Sequence, residues 1–451
     1  MYEYITELYN IWFENKKIQN RVYKISFMEA VFYGYAEKFR VGSKIFSKVF
    51  VELDLKNGEL NIYIPSSSRK EGLIENYNIE LIDVEIFTPS GKLKASAITD
   101  IFIKSFNPLP SFHIGESYLI NFFNLIPAFS EKPNIYGYTK VCLIPRKSQI
   151  EFEVEDIRNN LEKGFVEIVF KNFNLDLPPP VDFSNLYQNF GIVIRGIKEG
   201  GLLSISCGNF TEDIEDFYQA IKTAFSYLQG KEIDGLLILH GNKLKVLFEN
   251  SDDKGIFSII PISVHGVNCI EDFLISFLNH WKGLNEQEKN IFRRIIFCTV
   301  YGKTKQLEVE NKLLNLFEVL EIISGGKIEK NKLKTTLNIC LYDAQFMVTL
   351  RNEIVHGDSI ENAIVKSYEK AGKEKDYKGS TFLKLKTLFD KDRFTGIFKI
   401  YLALIRIIDL FVLQTIGYSG KWLDPLNEFS ESYVNEILLE DEEVLVELKG
   451  K

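Results

Sequence analysis

The hydrophobic pattern of this chain changes period part-way along, and that change limits the fold more than any single motif does. From about residue 20 to 175 apolar residues alternate with polar ones in short runs, the period-two pattern of half-buried strands. "KVFVELDLKNGELNIYI" (48–64) alternates on both sides of Asn57-Gly58. That pair tolerates the positive φ angles of a tight turn, so it predicts an antiparallel hairpin. "IELIDVEIFTPSGKLKASAI" repeats the form around Ser90-Gly91, and "GFVEIVFKNFNL" supplies another strand. After about residue 270 the period is helical. "IEDFLISFLNHWKGL", "EQEKNIFRRIIFCTVYG", "QLEVENKLLNLFEVLEIISGG", "TLNICLYDAQFMVTLRNEIVHG" and "FTGIFKIYLALIRIIDLFVLQTIGYSG" each read as one helix. Several end in glycine, as helix C-termini often do. Residues 1–17 also read as helical.

A chain of 451 residues exceeds one ordinary core, so two or three domains are expected. Pro178, Pro179 and Pro180 form a stiff segment that suits a boundary. The predicted class is α+β, multidomain, with a β-rich N-terminal region and a C-terminal all-α bundle. Residues 1–177 are the β-rich sensor or regulatory domain, and 178–268 a mixed α/β connecting region. Residues 269–425 are the helical bundle, and 426–451 an acidic tail. Within the connecting region, "GLLSISCGNF" reads as a strand, "EDIEDFYQAIKTAFSYLQG" as a helix, and "DGLLILHGNKLKVLFEN" as a hairpin turning at Gly241-Asn242.

Composition excludes several classes. The start "MYEYITELYNIWFENKK" has no basic stretch followed by an apolar run, so no signal peptide is expected. The most apolar late segment, 397–416, carries Lys399, Arg406 and Asp409, charges that a bilayer would have to bury. A packed core helix is the expectation there, and no membrane partner. The five cysteines are scattered and mostly set in apolar runs, which suits buried thiols and a cytoplasmic location. Net charge is −8, unlike a protein that coats nucleic acid indiscriminately. Locally the balance differs: residues 327–399 hold 15 Lys and Arg against 10 Asp and Glu, while 424–451 hold nine acids against two lysines.

Most familiar chemistries leave no trace. GxxxxGK[ST], GxGxxG after a strand, CxxC, HExxH and GxSxG are all missing from the sequence, so neither cofactor nor metal is expected. His113, His240, His265 and His280 are isolated, and His280 beside Trp281 on an apolar helix reads as a core group. "LRNEIVHGDS" (350–359) differs. Asn352 lies four residues before His356, so the two share a helix face. Arg351 is turned roughly 140° from His356 by helical geometry. Only its long side chain, or a neighbouring subunit, brings a guanidinium to the same point. Gly357 stops the helix there, and a helix C-terminus suits a histidine that exchanges protons.

Arg351, Asn352 and His356, spaced Arg-Asn-x-x-x-His on a late helix of a small bundle, resemble the signature of the HEPN superfamily (higher eukaryotes and prokaryotes nucleotide-binding). That resemblance covers about residues 285–425. "RNEIVHG" with its trailing Gly357, the apolar helix 397–416 followed by "GYSG", and the upstream "AFSYLQGKEIDGLLILHGNKLKVLF" resemble ApeA-like proteins of bacterial abortive infection. The resemblance implies a metal-independent endoribonuclease, acting in anti-phage defence, whose motifs face each other in a homodimer. By that analogy His356 is general base or acid, Arg351 stabilises phosphate charge, and Asn352 orients. RNA is the implied substrate, tRNA among the candidates, and a phage-derived trigger would act at the N-terminal region. Lys366, Lys370, Lys373, Lys375 and Lys378 would then hold phosphates while Tyr368 and Tyr377 stack bases; a solvated Lys/Glu-rich surface is the plainer reading of that segment. The acidic tail would shield the basic cleft. Two other readings stand beside this one: a non-catalytic HEPN binding or dimerisation module, and the toxin of a toxin–antitoxin pair.

Overall fold

The computed structural model describes residues 31–55, 59–65, 79–88, 91–108, 138–145, 149–156, 166–173, 181–182, 192–197, 202–207, 210–248, 267–304, 308–426 and 430–433. The expected N-terminal helix, the Asn57-Gly58 turn, Ser90, the three prolines, His113, His265 and residues 434–451 of the acidic tail lie outside the described residues. The chain forms two compact units. One comprises residues 1–171, 187–211 and 234–250, the other 172–186, 212–233 and 251–451.

The first unit holds most of the strands. β1 (Val31–Val41), β2 (Lys44–Asp54), β3 (Glu59–Pro65), β4 (Ile79–Thr88), β5 (Gly91–Pro108) and β6 (Tyr138–Pro145) pair antiparallel around a closed six-stranded barrel, in the order β1-β2-β3-β6-β5-β4 and back to β1. The alternation explains which side of each strand is filled. Val49, Val51, Leu53, Leu60, Ile62, Ile64, Val141 and Leu143 belong to one buried cluster. The residues between them, such as Glu52, Asn61 and Lys140, hydrogen-bond one another on the opposite face. Closure needs a glycine at one point. Gly34 sits opposite Ile86, and a Cβ there would lie 1.8 Å from the Glu85 carbonyl oxygen.

β5 carries 18 residues because it serves two partners on one edge. Its Ile101–Pro108 stretch pairs with β6, and Gly91–Lys94 pairs with β7 (Gln149–Asp156). A register shift between Ile103 and Ser105 bends it. From β7 the sheet continues through β13 (Lys243–Leu247), β12 (Asp234–His240), β8 (Val166–Lys171), β11 (Leu202–Cys207) and β10 (Ile192–Ile197). The hairpin β12–β13 turns at Gly241-Asn242 as expected, with Gly241 at φ 57°. The remaining short strand is β9 (Val181–Asp182).

Within 178–268, strands β10 to β13 continue the sheet begun by residues 31–171 and belong to the first unit, while α1 (Ile214–Gln229) belongs to the second.

The second unit is helical: α1 (Ile214–Gln229), α2 (Val267–Gly283), α3 (Glu286–Lys303), α4 (Val309–Ile323), α5 (Lys330–Leu337), α6 (Leu341–Val355), α7 (Ile360–Ala371), α8 (Thr381–Lys391) and α9 (Arg393–Thr415), then the hairpin of β14 (Lys421–Asp424) and β15 (Ser430–Tyr433). Polar caps start several of them. Asp213 caps α1, Asn285 and Glu288 form a reciprocal capping box on α3, and Ser359, Ser380 and Asp392 cap α7, α8 and α9.

The single helix expected over 336–357 is two helices. Asn338 leaves the helical region at φ 51° and ends α5. Asp376, from between α7 and α8, then accepts from the Leu341 amide at 3.2 Å through Oδ2 and from the Tyr342 amide at 3.0 Å through its carbonyl. A carboxylate 35 residues away therefore helps start α6, while Asn338, a residue type that tolerates the left-handed region, is the local stop of α5.

The three charges of the apolar stretch 397–416 all find partners. Lys399 Nζ donates to the Leu426 carbonyl at 3.3 Å, and Arg406 Nε to Asp424 at 3.0 Å. Asp409 is fully buried. Its Oδ1 accepts from Lys303 Nζ at 2.5 Å and from the Tyr227 hydroxyl at 2.9 Å, and the ammonium lies 4.8 Å from the Tyr227 ring centroid. Burial pushes the Asp409 carboxyl up and the Lys303 ammonium down from their ordinary values, each opposed by the other's charge. Among the described residues no helix is long and apolar enough to cross a membrane. Lys303→Met strands the Asp409 charge and is expected to cost about 3–5 kcal/mol, whereas Lys303→Met with Asp409→Leu costs less because no lone charge remains. Urea unfolding of the two variants, followed by far-UV circular dichroism, measures the difference.

Candidate active site at the end of helix α6

Helix α6 is restrained along its length. At its first turn Asp343, 2% exposed, accepts from Ser380 Oγ at 2.5 Å and from the amides of Thr381 and Phe382 at 2.8 and 3.3 Å. Its carboxylate thus meets the start of α8, where unpaired amides favour an anion. In mid-helix Phe346 packs against Tyr368 and Phe382, with ring centroids 4.8 and 4.3 Å away.

At the other end the helix closes in a Schellman motif. The Gly357 amide donates to Ile354 O and the Asp358 amide to Glu353 O, both at 3.0 Å, with Gly357 at φ 92°. A Cβ on Gly357 would meet nothing within 4 Å, so the glycine is required by its dihedral and not by space. His356 is the C-cap residue, exposed, and its backbone amide donates to Asn352 O at 3.0 Å. Among the described residues no side chain hydrogen-bonds its imidazole.

Arg351 does reach Asn352. Its Nη1 donates to Asn352 Oδ1 at 3.1 Å. The other edge of the guanidinium grips Glu321 of α4: Nε donates to Oε1 at 2.8 Å, and Nη2 donates to the same oxygen. The expectation that helical geometry leaves Arg351 turned away is therefore only half right. The Cα positions diverge, but the long side chain curls back to Asn352 within one chain, steadied by a carboxylate 30 residues earlier. Glu321 carried no sequence signal, since it is one acid among many on an amphipathic helix.

The predicted phosphate-holding surface breaks into two sets. The first part of the segment is helix, α7, so Lys366 and Lys370 share one face and Tyr368 takes the opposite one. Lys366 Nζ contacts Glu353 Oε2 at 2.9 Å and Asp358 Oδ2 at 2.5 Å, and Lys370 contacts Glu353 Oε1 at 2.9 Å. Both lysines are thus paired with acids next to the motif. Tyr368 is buried, its hydroxyl donating to Phe382 O at 3.1 Å. It is a core residue and presents no face to a base, which corrects the stacking role expected of it. Lys373, Lys375, Tyr377 and Lys378 are exposed on the stretch between α7 and α8. Arg294 is engaged by Glu318, and Arg293 by Gln219 and Asn290.

Of the other histidines, His240 is exposed at the β12–β13 turn, and His280 is half-buried against the Phe292 ring at 4.9 Å, with burial pulling its pKa down. Among the described residues no three of His, Cys, Asp and Glu are grouped to hold a metal ion. No family model, curated protein or solved structure matches the chain.

The Glu353 clamp makes a pH prediction. Hydrogen bonds from Lys366 and Lys370 pull its carboxyl down to about 2. A depressed carboxylate stabilises the folded state fully above its ordinary value and loses that contribution as pH falls through the folded value. The α6–α7 clamp should therefore hold from neutral pH to about 4.5 and weaken only toward pH 2. Carbon-13 titration of the Glu353 carboxyl checks this, and Lys366→Ala with Lys370→Ala should return its midpoint to the usual glutamate range.

Proposed function

We propose that the α6 turn is the catalytic centre of a HEPN-type endoribonuclease that acts without metal, in the manner of ApeA-like anti-phage proteins. The observation that carries this reading is the exposed His356 on a rigid helix-end turn, one helical turn from an Asn352 that is hydrogen-bonded to Arg351. His356 takes the proton of a ribose 2′-hydroxyl. The 2′-oxygen attacks the adjacent phosphorus, the bond from phosphorus to the 5′-oxygen breaks, and a proton is returned to that oxygen. Arg351 stabilises the charge that builds on the non-bridging oxygens, and Asn352 holds Arg351. The products are a 2′,3′-cyclic phosphate and a 5′-hydroxyl, so only RNA is a substrate.

The wider reading follows the same resemblance. Two copies would bring their α6 turns to one RNA in a cytoplasmic homodimer, the exposed Lys373, Lys375 and Lys378 would add phosphate contacts, and a phage-derived trigger would act at the β-rich unit. The Arg351–Glu321 ion pair favours a second reading, in which the helix end is a structural brace and the bundle is a non-catalytic binding module.

One experiment separates them. Wild type and His356→Ala are incubated with total RNA in EDTA and the ends are mapped. The catalytic reading expects cyclic-phosphate ends from wild type, with at least a hundred-fold loss in the variant. Equal cleavage by both proteins, or none by either in the presence of phage lysate, would favour the brace.

A further inference from the structure

The guanidinium expected to meet phosphate is already holding a carboxylate. Glu321 occupies the Nε/Nη2 edge of Arg351, the paired-donor edge that planar anions use. The ion pairs in contact around the turn are balanced. Arg351, Lys366 and Lys370 are matched by Glu321, Glu353 and Asp358, three cations against three anions in direct contact. A phosphate arriving at this turn gains full use of Arg351 only by taking the place of Glu321.

The pair is built to be exchanged. The side chains of Arg351 and Glu321 are 28% and 33% exposed, so water reaches both and releasing the carboxylate strands no buried charge. This is unlike Lys303 and Asp409, whose side chains are 0% and 1% exposed and which could not part without a large penalty. Solvent-exposed ion pairs are worth about 0–1 kcal/mol, a barrier that a phosphodiester with a second contact can overcome.

We propose that Glu321 is an internal competitor of the substrate phosphate, an autoinhibitory contact that keeps Arg351 occupied until RNA displaces it. The proposal rests on reading the α6 turn as an RNA-phosphate site. It makes Glu321 a setter of the affinity threshold and gives it no part in proton transfer.

The test is binding of a 2′-O-methyl oligoribonucleotide, which the proposed reaction cannot cleave, to the full-length chain at fixed salt. Four proteins are compared: wild type, Glu321→Gln, Arg351→Ala and the double variant, each first shown to melt as wild type does. Glu321→Gln keeps the side chain's size and should bind about three- to ten-fold tighter, the equivalent of about 1 kcal/mol. Arg351→Ala should bind at least ten-fold more weakly, and adding Glu321→Gln to it should restore nothing. A gain from Glu321→Gln that persists without Arg351 is general charge removal and overturns the proposal. Unchanged or weaker binding by Glu321→Gln, with Arg351→Ala still impaired, also overturns it and makes Glu321 a residue that orients Arg351. If Arg351→Ala binds as wild type does, the RNA-site reading itself falls, and the proposal with it.

Discussion

Lys303, the last residue of α3, meets Asp409 of α9, which also accepts from the Tyr227 hydroxyl of α1, and all three side chains are buried. Two charges in an apolar core rarely add stability over well-packed hydrophobic residues, because both lose their hydration. What they add here is register. Helix α9 is apolar along most of its 23 residues and buries Ile400, Leu404, Ile405, Ile408 and Val412. Leucine and isoleucine can repack if such a helix slides by a turn. Asp409 cannot follow, since a slide takes its carboxylate from the ammonium. The other oxygen, Oδ2, is buried with no partner, so all of its compensation comes through Oδ1.

The end of α3 that carries Lys303 fastens other elements too. The Tyr401 hydroxyl donates to Gly302 O at 2.7 Å, a second tie to α9. A Cβ on Gly302 would lie 2.4 Å from Leu316 Cδ2, so the glycine lets α4 come close. Helix α4 then carries Glu321 on its last turn, and Glu321 holds Arg351. Restraint therefore passes from the buried pair through α3 and α4 to the motif. Asp376 and Asp343 secure the far end of α6. A side chain at the α6 turn is held by groups drawn from most of the bundle.

What could be read along the chain and what could not divide by range. The alternation around Asn57-Gly58 marked β2 and β3 as an antiparallel pair, because a strand's period is a local property. Gly241-Asn242 marked its hairpin for the same reason. Lys399, Arg406 and Asp409 were enough to keep α9 out of a membrane, although the partners that accept them were not visible. The break between α5 and α6 was passed over: Asn338 is its local mark, and Asp376, which receives the start of α6, is distant in sequence. Which segments share a sheet was not legible, because strand pairing, and not linker composition, decides it. Tyr368 was misjudged through treating a helix as a linear run: beside Lys366 in sequence, it lies on the opposite face in space. Arg351, Asn352 and His356 were legible as a group, whereas Glu321 was not, because nothing in a single amphipathic helix says which of its acids will meet an arginine.

The chemistry proposed for the α6 turn places a demand that one copy of it meets poorly. Cleavage by a 2′-hydroxyl moves two protons, one off the nucleophile and one onto the leaving oxygen, and these atoms lie on opposite sides of the phosphorus in an in-line displacement. A single imidazole on a rigid turn reaches one side. Lysines 366 and 370 do not replace it, since their protons are committed to Glu353 and Asp358, and Tyr368 is in the core. The exposed imidazole of His356 is thus the proton-transfer group that this helix end offers. A second such group, supplied by another α6 turn across the phosphate, satisfies the demand with no further residue type. Under the proposed chemistry, two copies are called for by the proton count and not by the direction of Arg351, which its own chain brings to Asn352.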